Sequence, residues 1–108
     1  MLHVYTLVLE LIRQLRSTIG IVERKDRDLA RQLRRASSSV ALNLAEGMYS
    51  RGKNRAVRYH TALGSARETW SCLEVAEAAG YIKPLEPALT ARLNQIIGTL
   101  VRLVERSQ

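Results

Sequence analysis

The stretch from Leu29 to Gly47, LARQLRRASSSVALNLAEG, decides the fold. Its apolar residues recur every three or four positions, at Leu29, Leu33, Ala36, Val40 and Leu44. This spacing places them on one face of an α-helix. Asp26 or Asp28 precedes the stripe as a plausible N-cap, and Gly52 stands just past its end. The pattern predicts an amphipathic helix.

Three further apolar stripes with the same spacing flank this helix, over residues 4–15, 59–73 and 89–103. Gly20 stops the first, Asn54 and Gly80 bound the third, and Pro84 and Pro87 are tolerable only around the first turn of the fourth. No segment alternates with the period of a strand. The linkers are short, so neighbouring helices run antiparallel. The sequence predicts an all-α, up-down antiparallel four-helix bundle that occupies residues 1–108 as a single domain.

Composition agrees with one compact helical domain. The chain has 108 residues, 46% of them hydrophobic but only 5% aromatic, so the core must be aliphatic. A single cysteine excludes an internal disulfide and suits a reducing compartment. The sequence carries no readable secretion signal or membrane span. We therefore expect a cytoplasmic protein.

Charge is concentrated in the middle of the chain. The net charge is +7, and between Leu29 and Arg67 eight Lys or Arg residues face one carboxylate, Glu46. A localised basic excess indicates a polyanionic partner, most often nucleic acid, although a solvated basic face is the alternative. Tyr49 is the one credible stacking ring beside these cations. The candidate phosphate contacts are Arg31, Arg34, Arg35, Arg51, Lys53, Arg55 and Arg58.

The first predicted helix has more apolar surface than a peripheral helix needs. At about 100° per residue, its apolar side chains, Leu7 and Leu11 among them, sweep roughly 200°. Apolar surface beyond the needs of the bundle usually meets another chain, which predicts a homo-oligomer. The alternative is that this helix is central to the bundle.

Polar residues inside the second helix form a compact set. Ser37, Ser38 and Ser39 are small enough to permit close approach of another helix, and Asn43 and Glu46 lie beside Ser39 at the flank of the apolar stripe. A half-buried polar set needs internal hydrogen-bond partners. We interpret these residues as determinants of helix register and subunit packing.

Catalytic and metal chemistry are poorly supported. His3, His60 and Cys72 lack ligand spacing, and no Glu-x-x-His motif occurs, so we predict neither a metal nor another cofactor. An enzyme of unknown type built on Ser38, His60 and Glu46 is a weaker reading, because a serine nucleophile needs an oriented base. We therefore predict that the protein is not an enzyme.

Three motifs carry a resemblance to a known family. The run Arg35–Gly47 (RASSSVALNLAEG) resembles the signature of the bacterial four-helix-bundle proteins encoded in intervening sequences of 23S rRNA genes. Ala62–Ala66 (ALGSA) and Gly80–Ile82 (GYI) are similar to its later motifs, in the same order. The resemblance spans nearly the whole chain. It implies a small bundle that assembles into a ring, commonly a homopentamer.

The accessory variability proteins of diversity-generating retroelements are also similar. They are basic pentameric barrels that bind nucleic acid and a reverse transcriptase. This resemblance makes a reverse transcriptase a candidate partner and an RNA or retroelement process a candidate setting.

Two functions from different classes follow from these observations. The first is a non-catalytic, oligomeric protein that binds the phosphate backbone of RNA or DNA electrostatically. The second is a structural protein–protein adaptor with no nucleic-acid role, anchored by Leu42 and Tyr49. Clustering of the arginines favours the first, whereas dispersed arginines with an exposed Leu42–Tyr49 patch favour the second.

Overall fold

The computed structural model describes residues 2–108, which form four α-helices and no strand. They are α1 (His3–Lys25), α2 (Arg27–Met48), α3 (Gly52–Ala78) and α4 (Pro87–Ser107). Each helix packs against its neighbours in sequence. Helix α1 also packs against α4, which closes the four-helix bundle. The predicted all-α, up-down antiparallel four-helix bundle is confirmed.

The α1–α2 connection is a single residue. Asp26 caps α2 by accepting a hydrogen bond on its carboxylate from the backbone N–H of Leu29 at 3.0 Å. Its own N–H donates to the carbonyl of Val22 at 2.7 Å. One residue thus terminates α1 and starts α2, as the N-cap prediction for Asp26 requires.

The predicted end of α1 at Gly20 is wrong, because the helix continues to Lys25. A glycine inside a helix costs only about 1 kcal/mol relative to alanine. Ile19 and Val22, on either side of it, are buried against the bundle and offset that cost. Gly52 also differs from expectation: it has a positive φ of 57° and begins α3 rather than closing α2.

The core is aliphatic, as the composition predicts. Its largest fully buried side chains include Leu11, Leu15, Leu33, Leu44, Leu73, Leu93, Ile96 and Leu100. Leu11 therefore lies inside the bundle of a single chain, whereas Leu7 is half-buried at the edge of the core. Of the two leucines assigned to oligomer packing, only Leu7 keeps surface that a second chain could reach.

Helix α3 has apolar side chains on both its inner and its outer face. Val57 is 60% exposed and Val75 is 53% exposed, while Leu63 and Leu73 are buried against the other helices. Val57 and Val75 are eighteen residues apart, which is five full turns, so they lie on one outward line. Part of the apolar surface that the bundle leaves exposed is therefore on α3, and the rest includes Leu42 of α2 and Tyr49 after it.

Candidate nucleic-acid interface

The α2–α3 turn lies at one end of the bundle and gathers several cations. The backbone N–H groups of Tyr49 and Ser50 donate to the carbonyls of Glu46 and Gly47, both at 3.2 Å. The hydroxyl of Ser50 also donates to the carbonyl of Glu46 at 2.8 Å. These bonds satisfy two of the last four carbonyls of α2, those of Glu46 and Gly47.

The cations at this turn differ in how they are held. Arg51 and Lys53 are exposed, and within residues 2–108 neither forms an ion pair or a side-chain hydrogen bond. Arg55 is half-buried, and its Nε donates to the carbonyl of Gly47 at 3.1 Å. No carboxylate occurs from Gly47 to Arg67, so nothing in the segment neutralises these charges. The turn is a site of positive potential that can attract phosphates.

Three of the other four predicted cations lie in the first half of α2. Arg31 stands 3.9 Å from Asp28 and Arg34 stands 3.1 Å from Glu23 in α1, both as exposed ion pairs. Arg35 is exposed and has no such pair in the described part of the chain. Along the helix, Arg35 and Arg51 are about 24 Å apart at 1.5 Å per residue. Arg34 and Arg35 nevertheless line one surface groove together with Arg58 of α3, so the seven cations do not separate into two isolated groups.

Arg58 belongs to a polar network that joins α2 to α3. Its guanidinium forms an ion pair with Glu46 at 2.9 Å and a longer contact to Oδ1 of Asn43 at 3.4 Å. The amide of Asn43 donates to the carbonyl and to the Oγ of Ser39, at 2.9 and 3.0 Å. The buried Ser65 of α3 donates its hydroxyl to Oγ of Ser39 at 2.8 Å.

The serine run lies inside α2, where each member has a different environment. Ser37 is buried and donates to the carbonyl of Arg34 at 3.2 Å, while Ser38 is half-buried. Ser39 faces α3 through its bond with Ser65. The contacts of Ser39 with Ser65 and of Asn43 with Arg58 thus link α2 to α3 within the same chain. Glu46 is exposed and bound by Arg58.

A groove beside the turn brings together residues from three helices. It has a volume of about 550 Å³ and is lined by Leu2, Tyr5, Ala45, Met48, Tyr49, Arg55 and Tyr59. Tyr49 is 89% exposed, Tyr5 is half-buried and Tyr59 belongs to the core. Sequence reasoning anticipated Tyr49 as a stacking ring but missed Tyr5. The signal for Tyr5 was available: an antiparallel α1–α2 pair joined by one residue places the start of α1 beside the end of α2.

Ser38, His60 and Glu46, the residues of the weaker hypothesis of an enzyme, are not arranged as a nucleophile and its base. No hydrogen bond joins Ser38, His60 and Glu46 within residues 2–108, and the Glu46 carboxylate forms an ion pair with Arg58.

Burial, with a smaller contribution from Glu68, raises the pKa of the Cys72 thiol, so this group stays neutral and unreactive. The described residues contain no cluster of three or more His, Cys, Asp or Glu that could hold a metal ion. None of their helices is both long and apolar enough to cross a membrane.

Comparisons with known proteins agree with the helical architecture. The family model described as 23S rRNA-intervening sequence protein matches residues 1–102. The chain is also similar to a crystal structure of a protein with unknown function from the S23 ribosomal protein family of Bacteroides thetaiotaomicron. The two share 18% sequence identity and a TM-score of 0.83, over 94% of this chain and 97% of that one. At this identity the likeness concerns the fold. No curated protein sequence matches the chain.

Proposed function

This chain belongs to the family of 23S rRNA-intervening sequence proteins, and we propose that it is a non-catalytic, oligomeric protein that binds the phosphate backbone of RNA or DNA electrostatically. The main contacts are the cations of the α2–α3 turn, Arg51, Lys53 and Arg55. Arg31, Arg34, Arg35 and Arg58 add contacts along α2 and α3.

The observation that carries this proposal is the uncompensated charge of the turn. Arg51 and Lys53 stand exposed without a carboxylate partner in the described residues, on a segment that lacks acidic residues from Gly47 to Arg67. Exposed ion pairs such as those of Arg34 and Arg58 stabilise the fold by at most about 1 kcal/mol. A phosphate can therefore replace either carboxylate at little cost, and these arginines remain available for a polyanion.

Oligomerisation strengthens the proposal because each copy of the chain adds another cationic α2–α3 turn to the assembly. The outward line of Val57 and Val75 on α3 supplies exposed apolar surface for a second copy. The family resemblance implies about five chains in a ring. Several copies of Arg51 and Lys53 on one assembly raise the affinity for a long polyanion without any new contact chemistry.

A protein–protein adaptor is the second candidate function, and one observation favours it. Leu42 is 65% exposed and Tyr49 is 89% exposed. Leu42 lies on the outer face of α2 and Tyr49 directly follows the end of that helix, so the two exposed side chains could anchor a partner helix. In this second function the cations of the turn only keep the surface soluble.

The decisive experiment titrates the wild type against labelled RNA and DNA over a range of salt concentrations. The test variant is Arg51→Gln/Lys53→Gln, which leaves the hydrogen bond from Arg55 to Gly47 intact. The control is Arg24→Gln/Lys25→Gln, which removes the same charge at the opposite end of the bundle. Both pairs are exposed, so neither variant should lose more than about 0.5 kcal/mol of stability.

We expect the affinity of the wild type to fall steeply as salt rises. Each neutralised phosphate adds about −0.9 to the log–log slope for a duplex and about −0.7 for a single strand. Loss of two contacts should flatten the slope by about 1.8 or about 1.4 units, respectively, in the test variant. The control should keep the wild-type slope. Failure of the wild type to bind either nucleic acid at low salt would reject this function and leave the adaptor in its place.

A further inference from the structure

We propose that the groove lined by Tyr5, Tyr49 and Tyr59 is a base-stacking site that selects single-stranded over base-paired nucleic acid. The inference rests on the proposed function and adds a substrate class to it. An unpaired base stacks on Tyr49 at the mouth of the groove, while the adjoining phosphates contact Arg51 and Lys53.

The three tyrosines differ in solvent exposure in a way that suits this role. Tyr59 is only 4% exposed and is fixed in the core, so it forms a rigid floor. Tyr5 is half-buried at the groove wall. Tyr49 is 89% exposed, so nearly its whole ring is available to a ligand. A stacking platform needs an aromatic face that is free in the unbound protein, and Tyr49 provides one.

The charges around the groove favour an anionic ligand over an apolar peptide. Arg55 lines the groove, and the bond from its Nε to the Gly47 carbonyl fixes the plane of its guanidinium. Arg51 and Lys53 follow Tyr49 in the chain by two and four residues. Among the described residues, the lining of this aromatic groove includes Arg55 and no acidic side chain. This combination of a basic rim and stacking rings is typical of single-strand binding surfaces.

Base pairing decides which nucleic acid can use the groove. In a duplex both faces of each base are already stacked, so Tyr49 has no base to contact. An unpaired strand exposes its bases, and stacking on an aromatic ring tolerates any sequence. The duplex therefore interacts with the cations alone, whereas the single strand gains the ring contact in addition.

The experiment measures fluorescence anisotropy at one salt concentration with three probes of equal length: single-stranded RNA, an abasic strand with the same number of phosphates, and an RNA duplex. The variants are Tyr49→Ala, which removes the ring, and Tyr49→Phe, which keeps it. Ile21→Ala is the control, because Ile21 is an exposed apolar residue near the end of α1, outside the groove and away from the cations of the turn. Circular dichroism verifies that each variant is folded.

We expect Tyr49→Ala to weaken binding of single-stranded RNA about tenfold, the effect typical of one lost stacking contact. Its affinity for the abasic strand and for the duplex should equal that of the wild type, and Tyr49→Phe and Ile21→Ala should bind all three probes normally. Equal binding of the abasic and base-containing strands by the wild type, with no effect of Tyr49→Ala, would overturn the stacking site but leave the electrostatic function standing. Equal weakening of all three probes by Tyr49→Ala would also overturn it. Absence of binding to every probe at low salt would reject both proposals.

Discussion

The ring of Tyr59 in α3 packs directly on the backbone of Gly47 in α2. A Cβ atom built on Gly47 would lie only 2.6 Å from Cδ1 of Tyr59, closer than van der Waals contact permits. Both residues are buried, and Tyr59 is held by the core around it. Gly47 is therefore required by the close approach of two helices rather than by its backbone conformation, which is helical.

This contact predicts that Gly47→Ala destabilises the protein. The added methyl group must displace the ring of a buried tyrosine, and overpacking of this kind costs about 1–3 kcal/mol. Chemical denaturation followed by circular dichroism measures the change in the free energy of unfolding.

Gly20→Ala is the matched control for that experiment, because Gly20 is also inside a helix but no atom lies within 4 Å of a Cβ built there. This variant should gain about 0.5–1 kcal/mol, the usual advantage of alanine over glycine in a helix. The two identical substitutions should thus have opposite signs. A stabilising Gly47→Ala would show that the ring of Tyr59 moves aside freely, contrary to this account.

The hydrogen bond between Ser39 and Ser65 predicts an energetic coupling between α2 and α3. Ser39→Ala leaves the buried hydroxyl of Ser65 without its acceptor, which costs about 1–3 kcal/mol. In the double variant Ser39→Ala/Ser65→Ala no hydroxyl is stranded, so the loss should be smaller than the sum of the single losses. The double-mutant cycle should give a coupling of about 1 kcal/mol.

Ser71→Ala, on the exposed side of α3, is the reference for loss of a hydroxyl that makes no side-chain hydrogen bond in the described residues. It should change stability by less than about 0.5 kcal/mol. Additive effects of Ser39→Ala and Ser65→Ala would refute the coupling.

Much of the fold could be predicted from the sequence because periodicity reports directly on burial. The stripe through Leu33, Val40 and Leu44 gave the buried face of α2 correctly, and the side chain of Asp26 forms the predicted cap. The end of α1 could not be predicted in the same way. Gly20 is a local signal, and the tertiary burial of neighbouring residues outweighs it.

The candidate site was less predictable, since it depends on partners that are distant in sequence. The sequence around Arg34 does not indicate that its ion-pair partner is Glu23, which lies in α1. Similarly, Arg58 follows Glu46 by twelve residues, and the pair forms only because α2 and α3 are antiparallel. The sequence could therefore nominate the cations, while the register of the helices determines which of them have carboxylate partners.

The Cys72 thiol predicts a loss of stability in alkaline solution. Its pKa is raised above the ordinary value of 9.0 in the folded protein, chiefly by burial and further by Glu68. Below pH 9.0 the thiol is neutral in both the folded and the unfolded protein, so it does not make the free energy of unfolding depend on pH. Above it the unfolded chain releases the proton more readily than the folded chain, and the free energy of unfolding falls as pH rises.

Denaturation on both sides of pH 9.0 measures this effect, with Cys72→Ala as the control that should lose its thiol-dependent part. The buried thiol should also react with a labelling reagent only when the protein unfolds. Rapid labelling of the native protein, or an identical alkaline loss in Cys72→Ala, would contradict the expected role of burial.

The last prediction concerns self-association. From the structure, we expect the interface between copies to include the outer face of α3 rather than α1 alone. Light scattering should give a mass several times 12.2 kDa, and about five chains if the family resemblance extends to the ring. The exposed residues Val57 and Val75 lie on one line of α3, so Val57→Glu/Val75→Glu should lower the mass toward that of the monomer without loss of helix. Leu7→Glu should weaken assembly as well, because Leu7 is only half-buried by its own chain. Leu11→Glu should instead unfold the bundle, since it places a charge at a core position that is 1% exposed.

A wild type that remains a monomer at every concentration would refute the oligomer, and a full-sized assembly in Val57→Glu/Val75→Glu would refute the assignment of its interface to α3.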